Sequence, residues 1–272
     1  MKRRGFLAQA FALTVAAQSF MLPGSMAAAA EADAGKGSRV CNILVYGDSN
    51  SFGWVASPKD AAGRVVVSRL AAGETWPERM ALLLGDDFRV TVDALGGRTS
   101  DLDEPRGSGS GAIPAESFNG LATLPAAVSS HMPLDLVIVM LGTNDLKTAH
   151  DRTAYDVALA LGRITSTIRK GRWQSKTAYA APRVLVVSPA LLDDGKRFYG
   201  DFFAGALQKS KALAAAVEPV VRAAGAEFFD AARLVGVADQ VDGVHLTAEQ
   251  HRLLGEAVAR RGRVKTMFEK KP

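Results

Sequence analysis

The feature that most constrains this chain is the alternation of short apolar runs with longer amphipathic segments. Three of the five runs, the first, third and fourth, are apolar almost throughout, which is typical of strands covered on both faces. The runs lie at residues 40–46, 88–94, 135–141, 183–189 and 226–231. Strands that alternate with helices favour a parallel arrangement. The pattern therefore predicts an α/β fold: a five-stranded, mainly parallel sheet with helices on both faces, in three α/β/α layers.

The segments between the runs have helical periodicity. Apolar residues recur on one helical face within residues 74–84, 152–170 and 205–223. The last helix is predicted to begin at Thr247, because Gln250 follows three residues later at the spacing of a capping box. Residues 55–73 and 97–120 are rich in Gly, Ser and Pro, so we expect irregular loops there.

Residues 1–30 have the composition of an export signal, with a basic start, an apolar middle and an alanine-rich end. The basic residues 2–4 resemble the twin-arginine type of signal, although a general secretory signal would also contain such residues. Polar residues interrupt the apolar middle, which is short beside the roughly 20 residues of a membrane span, so no stable membrane anchor is expected. We predict cleavage among residues 27–32 and a periplasmic or secreted product. Residues 31–38 would be a flexible leader and residues 39–272 a single domain.

Charge and cysteine content exclude two classes of protein. The net charge of +5 includes the three positive charges of residues 2–4, so +2 remains once the signal is removed. Lys and Arg are scattered among acidic residues, and we expect no nucleic-acid partner. Cys41 is the only cysteine, which rules out an internal disulfide. Its place at the start of an apolar strand predicts a buried, inert thiol.

A polar turn directly follows the first apolar run and contains Asp48 and Ser49. Taken alone, the tripeptide Gly47-Asp48-Ser49 is more typical of an ordinary turn than of a nucleophile. A serine becomes a nucleophile when a histidine takes its proton and a third group orients that histidine. His245 is the best-placed candidate, since Asp242 precedes it by three residues and a helix cap follows it. A polar helix entrance would explain the same pair equally well. The other histidines are His131, His150 and His251.

An acyl-transfer reaction also needs hydrogen-bond donors for the oxyanion that develops on the carbonyl oxygen. Backbone N–H groups at Ser49 and Gly97 are candidates, and the side-chain amide of Asn144 is a third. For Asn144, a helix cap or an Asx turn is the alternative interpretation. Asp145 is expected to be a cap rather than a catalytic acid.

Four blocks, "GDSN", "GG", "GTND" and "DGVH", occur in the order and at the strand ends found in the SGNH (GDSL-type) hydrolases. The chain resembles that family from about residue 40 to residue 260. The resemblance implies the flavodoxin-like SGNH hydrolase fold. It also implies a catalytic triad of Ser49, Asp242 and His245, and an oxyanion hole formed by Ser49, Gly97 and Asn144. Asp48 would be structural.

Longer stretches, such as "GDSNSFGW", "LGGRTSDLDEPR" and "HMPLDLVIVMLGTNDLK", are similar to the bacterial arylesterase and alcohol acyltransferase (perhydrolase) group. That resemblance implies ester hydrolysis, acyl transfer to alcohols or peroxide, and a homo-oligomer in which the long loop after the second strand narrows the substrate channel. Three departures are present. Residue 50 is Asn instead of the usual Leu, residue 97 is Gly where a close member has Ala, and an export signal is not typical of the group. We expect the first two to change the pocket mouth.

Phe52 and Trp54 lie just beyond the predicted nucleophile and would either line an apolar substrate pocket or pack in the core. One cysteine and four scattered histidines give no metal-ligand spacing, and no phosphate-binding loop is present, so we expect neither metal nor cofactor.

The sequence therefore predicts an exported serine esterase of small or aryl esters, whose partners are an ester substrate and water or an alcohol. A periplasmic carbohydrate O-acetyl esterase is a second hypothesis. A non-catalytic binding protein on the same scaffold is a third, because fold alone does not fix function.

Overall fold

The predicted apolar runs form strands in a computed structural model, which describes residues 39–57, 61–62, 66–105, 112–174, 179–194, 201–238, 241–260 and 264. The proposed signal and leader lie outside these residues. In chain order the strands are β1 Cys41–Gly47, β2 Trp54–Ser57, β3 Val66–Arg69, β4 Phe88–Ala94, β5 Leu136–Met140, β6 Arg183–Ser188 and β7 Glu227–Asp230. The helices are α1 Ser49–Phe52, α2 Trp76–Leu84, α3 Gly120–Ser130, α4 Ala154–Lys170, α5 Ala206–Ala223, α6 Ala232–Val235 and α7 Ala248–Arg260.

Five strands form one parallel sheet in the order β4-β1-β5-β6-β7, so the predicted fold class is confirmed. The chain passes from β1 to β4 on one side of β1 and later to β5 on its other side. Such a reversal opens a crevice beyond the carboxyl ends of the strands, where α/β proteins bind ligands. The register aligns Gly47 with Ala94 and with Met140. The polar residues that follow β1, β4 and β5 therefore start from one edge of the sheet.

The sheet is covered on both faces, as its apolar strands require. Leu44 and Tyr46 of β1 pack into a core with residues of α3, α4 and α5. Ile43 and Val45 point the other way and pack with residues of α2 and α7. Successive strand residues face opposite sides, so strands that are buried throughout produce two cores rather than one. This arrangement holds β1, and the turn that follows it, between two packed layers.

Two stretches that we expected to be irregular contain regular structure. Residues 55–73 include most of an antiparallel hairpin, β2 with β3, whose four-residue strands are too short for an alternating pattern to stand out. Residues 97–120 include a 3-10 helix at Ala115–Phe118 and a bridge between Thr99 and Asn119. The loop prediction was wrong for these segments.

Two smaller predictions have different outcomes. The capping box at the start of α7 is confirmed, since Thr247 N–H donates to Gln250 Oε1 over 2.9 Å and Gln250 N–H donates to Thr247 Oγ1 over 3.1 Å. Cys41 is only half-buried, so the prediction of a buried thiol was wrong, because the residue lies at the open amino end of its strand. Partial burial still raises the pKa of this thiol.

Within the described segments, no helix combines the length and apolarity needed to cross a bilayer.

Candidate active site

The turn after β1 is held by the side chain of Asp48, which caps the one-turn helix α1. Its Oδ1 accepts the N–H of Asn50 over 2.9 Å, and Gly53 ends the helix with φ 93° by donating its N–H to the Ser49 carbonyl. Ser49 therefore sits at the first position of a helix at the carboxyl edge of the sheet. The Asp48 carboxyl is fully buried, which raises its pKa to about 6 even though the Asn50 N–H opposes the shift.

A second turn, before α7, is held by Asp242. Its Oδ1 accepts the backbone N–H groups of Val244, over 2.8 Å, and of His245, over 2.9 Å. Gly243 lies between Asp242 and Val244 and has φ +75°. A Cβ at this position would collide with the carbonyl oxygen of Asp193. Only glycine fits both the left-handed backbone and the close approach. The loop thus presents the carboxylate and the imidazole side by side.

The two turns meet. Ser49 Oγ lies 3.0 Å from His245 Nε2, and His245 Nδ1 lies 2.6 Å from Asp242 Oδ2. A carboxylate only accepts hydrogen bonds, so Nδ1 carries the proton and Nε2 is free to accept from the serine hydroxyl. Burial alone would raise the pKa of Asp242, but hydrogen bonds from His245 and Val244 outweigh it and hold the pKa below its usual range. The carboxylate is therefore ionised at neutral pH.

Two loops bring candidate donors toward Ser49. Leu95 donates its N–H to the Gly47 carbonyl over 3.2 Å, and Asn144 donates its side-chain amide to the Arg98 carbonyl over 3.1 Å. These bonds place residues 95–98 beside the end of β1 and Asn144 beside them. Gly97 has φ +90°, and a Cβ there would lie 3.1 Å from the Phe118 ring. Across the described part of the chain, no acceptor takes up the N–H of Ser49 or of Gly97. The Asn144 amide crosses to another loop and caps no helix.

Sequence reasoning missed the groups that hold these loops together. Ser100 donates its N–H to both carboxylate oxygens of Asp145, over 2.9 and 3.1 Å, and its hydroxyl also bonds to that carboxylate. The expected capping role of Asp145 was wrong, because its carboxylate is directed across to the loop after β4. Burial raises the pKa of Asp145, and the Ser100 donors oppose this shift.

Arg98 ties the loop after β4 to the ends of β1 and β4. Its guanidinium donates to the carbonyls of Gly47, over 3.1 Å, and Asp93, over 2.9 Å, and lies 4.2 Å from the Tyr46 ring centroid. A third hydrogen bond, of 2.8 Å, reaches the Asp93 carboxylate. The five donors of a planar guanidinium suit this role. The polar stretch "GGRTSD" was the only sequence signal that could have indicated this role of Arg98.

An aromatic ring lies against the imidazole. The Trp54 ring lies 5.9 Å from the His245 ring at an angle of 57°, and a Cβ at Gly96 would lie 2.8 Å from the indole. Trp54 therefore lies against both the imidazole and the glycine loop. Phe52 is 37% exposed, packs edge-on against Trp54 and carries the Arg69 guanidinium 5.0 Å above its ring. Phe52 is thus not a core residue. The assignment of Phe52 and Trp54 to a substrate pocket stays a prediction.

Asn50 is buried beside the backbone that carries His245. It is 3% exposed, and its side-chain amide bonds to the backbone on either side of His245. A leucine in its place would have no such partners. The expected effect of Asn50 on the pocket mouth stays a prediction.

The other histidines have partners other than Ser49. His131 ends α3 and its ring contacts the Ala127 carbonyl, and His150 lies 3.9 Å from the Glu104 carboxylate. His251 is buried between α7 and α2, where its Nδ1 accepts the Trp76 N–H over 3.0 Å. No group of three His, Cys, Asp or Glu side chains that could hold a metal ion occurs in the part of the chain that is described.

A hydrogen-bonded serine, histidine and carboxylate with backbone donors nearby is the arrangement that defines serine hydrolases. Comparisons with known proteins agree. The GDSL-like Lipase/Acylhydrolase family matches residues 45–253. The chain belongs to this family and is a carboxylic ester hydrolase of the SGNH type.

Solved structures from three bacterial proteins are similar over most of their length. A carbohydrate acetylesterase of Sinorhizobium meliloti, Est24, is 34% identical, with a TM-score of 0.74 over 84% of this chain and 100% of that one. The native aryl esterase of M. smegmatis is 35% identical, with a TM-score of 0.73 over 83% of this chain and 99% of that one. A second carbohydrate acetylesterase family member from S. meliloti is 28% identical, with a TM-score of 0.72 over 85% of this chain and 100% of that one. No curated protein matches this chain at a significant level.

Proposed function

We propose that this protein hydrolyses acetyl and other short-acyl esters through an acyl-enzyme on Ser49. The observation that carries the proposal is the continuous chain of hydrogen bonds from Ser49 through His245 to Asp242, at the carboxyl edge of the sheet. Ordinary structural roles explain each side chain separately. They do not explain why all three lie in line at the edge where this fold class binds ligands.

In the first half-reaction, Ser49 Oγ attacks the carbonyl carbon of the ester while His245 Nε2 takes the hydroxyl proton. The carbonyl oxygen becomes an oxyanion, which accepts the N–H groups of Ser49 and Gly97 and the Asn144 amide. The ionised Asp242 stabilises the imidazolium. When the tetrahedral intermediate collapses, the bond to the leaving oxygen breaks, His245 gives that oxygen its proton, and the alcohol departs.

In the second half-reaction, a water molecule attacks the acyl carbon and gives a proton to His245 Nε2. Collapse of this second intermediate releases the carboxylic acid and returns the proton to Ser49 Oγ. An alcohol in place of water would yield a new ester, and hydrogen peroxide would yield a peracid. Only the family resemblance supports these two transfers.

Two substrate classes are candidates. An aryl ester is supported by the 35% identical aryl esterase, and by the Trp54 ring beside His245 with Phe52 packed against it, which offer flat apolar surfaces to a ring. An acetylated carbohydrate is supported by the 34% identical carbohydrate acetylesterase. Initial rates with p-nitrophenyl acetate and with acetylated xylan, each with and without added alcohol, would separate these classes and measure acyl transfer.

The catalytic assignment is tested by Ser49→Ala. The variant should fold normally and lose hydrolysis of p-nitrophenyl acetate to the level of buffer. Full activity in this variant would discard the mechanism. Absence of both turnover and fluorophosphonate labelling in the wild-type protein would favour a non-catalytic binding protein.

We further propose that the protein acts outside the cytoplasm after export. The composition of residues 1–30 supports this, and the basic residues 2–4 favour the twin-arginine route. Replacing Arg3 and Arg4 by lysine should retain the protein in the cytoplasm of a bacterial host. Unchanged export would indicate a general secretory signal, and cytoplasmic wild-type protein would refute export.

A further inference from the structure

The residue after the proposed nucleophile makes contacts that the mechanism above does not use. Asn50 Oδ1 accepts the N–H of Leu246 over 2.9 Å, and Asn50 Nδ2 donates to the carbonyl of Val244 over 3.2 Å. Leu246 and Val244 are the two neighbours of His245. One side-chain amide therefore brackets the backbone that carries the imidazole.

Asn50 is itself held in place. Its backbone N–H donates to Asp48 Oδ1 over 2.9 Å, and it belongs to the same one-turn helix as Ser49. The chain positions of Ser49 and His245 differ by 196 residues. The side chain of Asn50, which follows Ser49 in the chain, thus bonds to the backbone of the two residues that flank His245 and joins the two turns. A shift of one turn relative to the other would therefore stretch these bonds as well as the one between Ser49 Oγ and His245 Nε2.

We propose that Asn50 is a positioning residue, which fixes the distance and angle between Ser49 and the base His245 without touching the substrate. This inference rests on the function proposed above. An amide is suited to the task because it accepts at one atom and donates at the other. Leucine offers neither group, so the buried Leu246 N–H and Val244 carbonyl would lose their partners and the loop would shift or bind water.

The test compares Asn50→Leu with a matched control, Gln250→Leu. Gln250 is also an amide that bridges backbone groups: it accepts from Thr247 N–H and donates to the carbonyls of Val235 and Val237, over 3.0 and 2.6 Å. Gln250 lies on the first turn of α7, and these partners include neither Ser49 nor the two neighbours of His245. Both variants lose comparable bonds, so they should have similar losses of thermal stability. A third variant, Asn50→Ala, covers the case in which leucine prevents folding.

Steady-state kinetics with p-nitrophenyl acetate should separate positioning from stability. For Asn50→Leu and Asn50→Ala we expect kcat to fall by about 10- to 100-fold, because small misplacements of reacting groups cost up to about 10²-fold, while KM stays within about twofold. The rate of fluorophosphonate labelling of Ser49 should fall by the same factor, since it also depends on the base. Gln250→Leu should keep kcat within about threefold.

An unchanged kcat in both Asn50 variants, or an equal loss in Gln250→Leu, would overturn the role of Asn50 alone. Wild-type protein that labels at Ser49 but turns over no ester would overturn the proposed function, and the labelling rates would still decide the role of Asn50. Wild-type protein with neither property would overturn both.

Discussion

The buried residue His251 should make the free energy of unfolding depend on pH. Its imidazole is inaccessible to solvent and accepts the N–H of Trp76, the first residue of α2, so it must be neutral. Burial lowers its pKa from the usual 6.5 to about 4, and the nearby His245 adds to the shift while Glu78 opposes it. Protonation would place a charge between α7 and α2 and remove the acceptor from Trp76.

The sign of the effect follows from the two pKa values. Below pH 6.5 the unfolded chain takes up a proton at this histidine, and the folded protein does so only near pH 4. The contribution to stability is therefore complete above pH 6.5 and is lost as the pH falls toward 4. A difference of about 2.5 pKa units corresponds to about 3 kcal/mol.

The perturbation is His251→Asn, which places an amide oxygen near the position of Nδ1 and does not titrate. Denaturant unfolding at pH 7.5 and 4.5 measures the free energy of unfolding of both proteins. The wild-type value should fall between these pH values by about 2.5 kcal/mol more than that of the variant. Other titrating groups are common to both proteins and cancel. Equal losses, or a larger loss in the variant, would refute the reasoning.

Three further predictions concern the site. Asp242→Asn should lower kcat by about 10³- to 10⁴-fold with little change in KM, since the imidazole loses its orienting anion; steady-state kinetics would show this, and a loss below tenfold would contradict it. Gly97→Ala should lower the melting temperature, and it should lower kcat by about tenfold. The reason is that φ +90° strains an L-residue and that Phe118 lies 3.1 Å from the new methyl group. An unchanged melting temperature and an unchanged kcat would contradict this reasoning. Asp48→Asn should raise the free energy of unfolding by up to about 3 kcal/mol at pH 7.5 and by much less at pH 4.5, because the raised pKa of about 6 makes the ionised carboxylate costly above that pH. Denaturant unfolding at both pH values would measure this difference. A variant that is less stable than the wild type at pH 7.5 would contradict the prediction.

The sheet and the polar residues at its edge could be predicted because each has a local sequence signal. Strands such as Leu136–Met140, which is buried throughout, are apolar throughout, and the helix Ala154–Lys170 has a clear 3.6-residue period. Ser49 and Asn144 were predicted because polar blocks follow strand ends, and parallel strands bring those ends together. His245 was predicted because Asp242 precedes it by three residues and a helix cap follows it. Their catalytic roles, and the expected export, acyl transfer and oligomer, stay predictions.

Other features have no local signal. The hairpin β2–β3 has strands of four residues, too few to show a period. The bonds from Asn50 to residues 244 and 246, and from Asp145 to Ser100, join side chains to distant backbone. Such contacts depend on the folded geometry, so the amino-acid types at these positions did not reveal them.

The central claim is that His245 activates Ser49. Intact-mass and peptide mass spectrometry after fluorophosphonate treatment tests it most directly. We predict one adduct per chain, located on Ser49, and a labelling rate that falls by at least about 100-fold in His245→Ala. An adduct on another residue, or equal labelling of Ser49 in the two proteins, would contradict the claim.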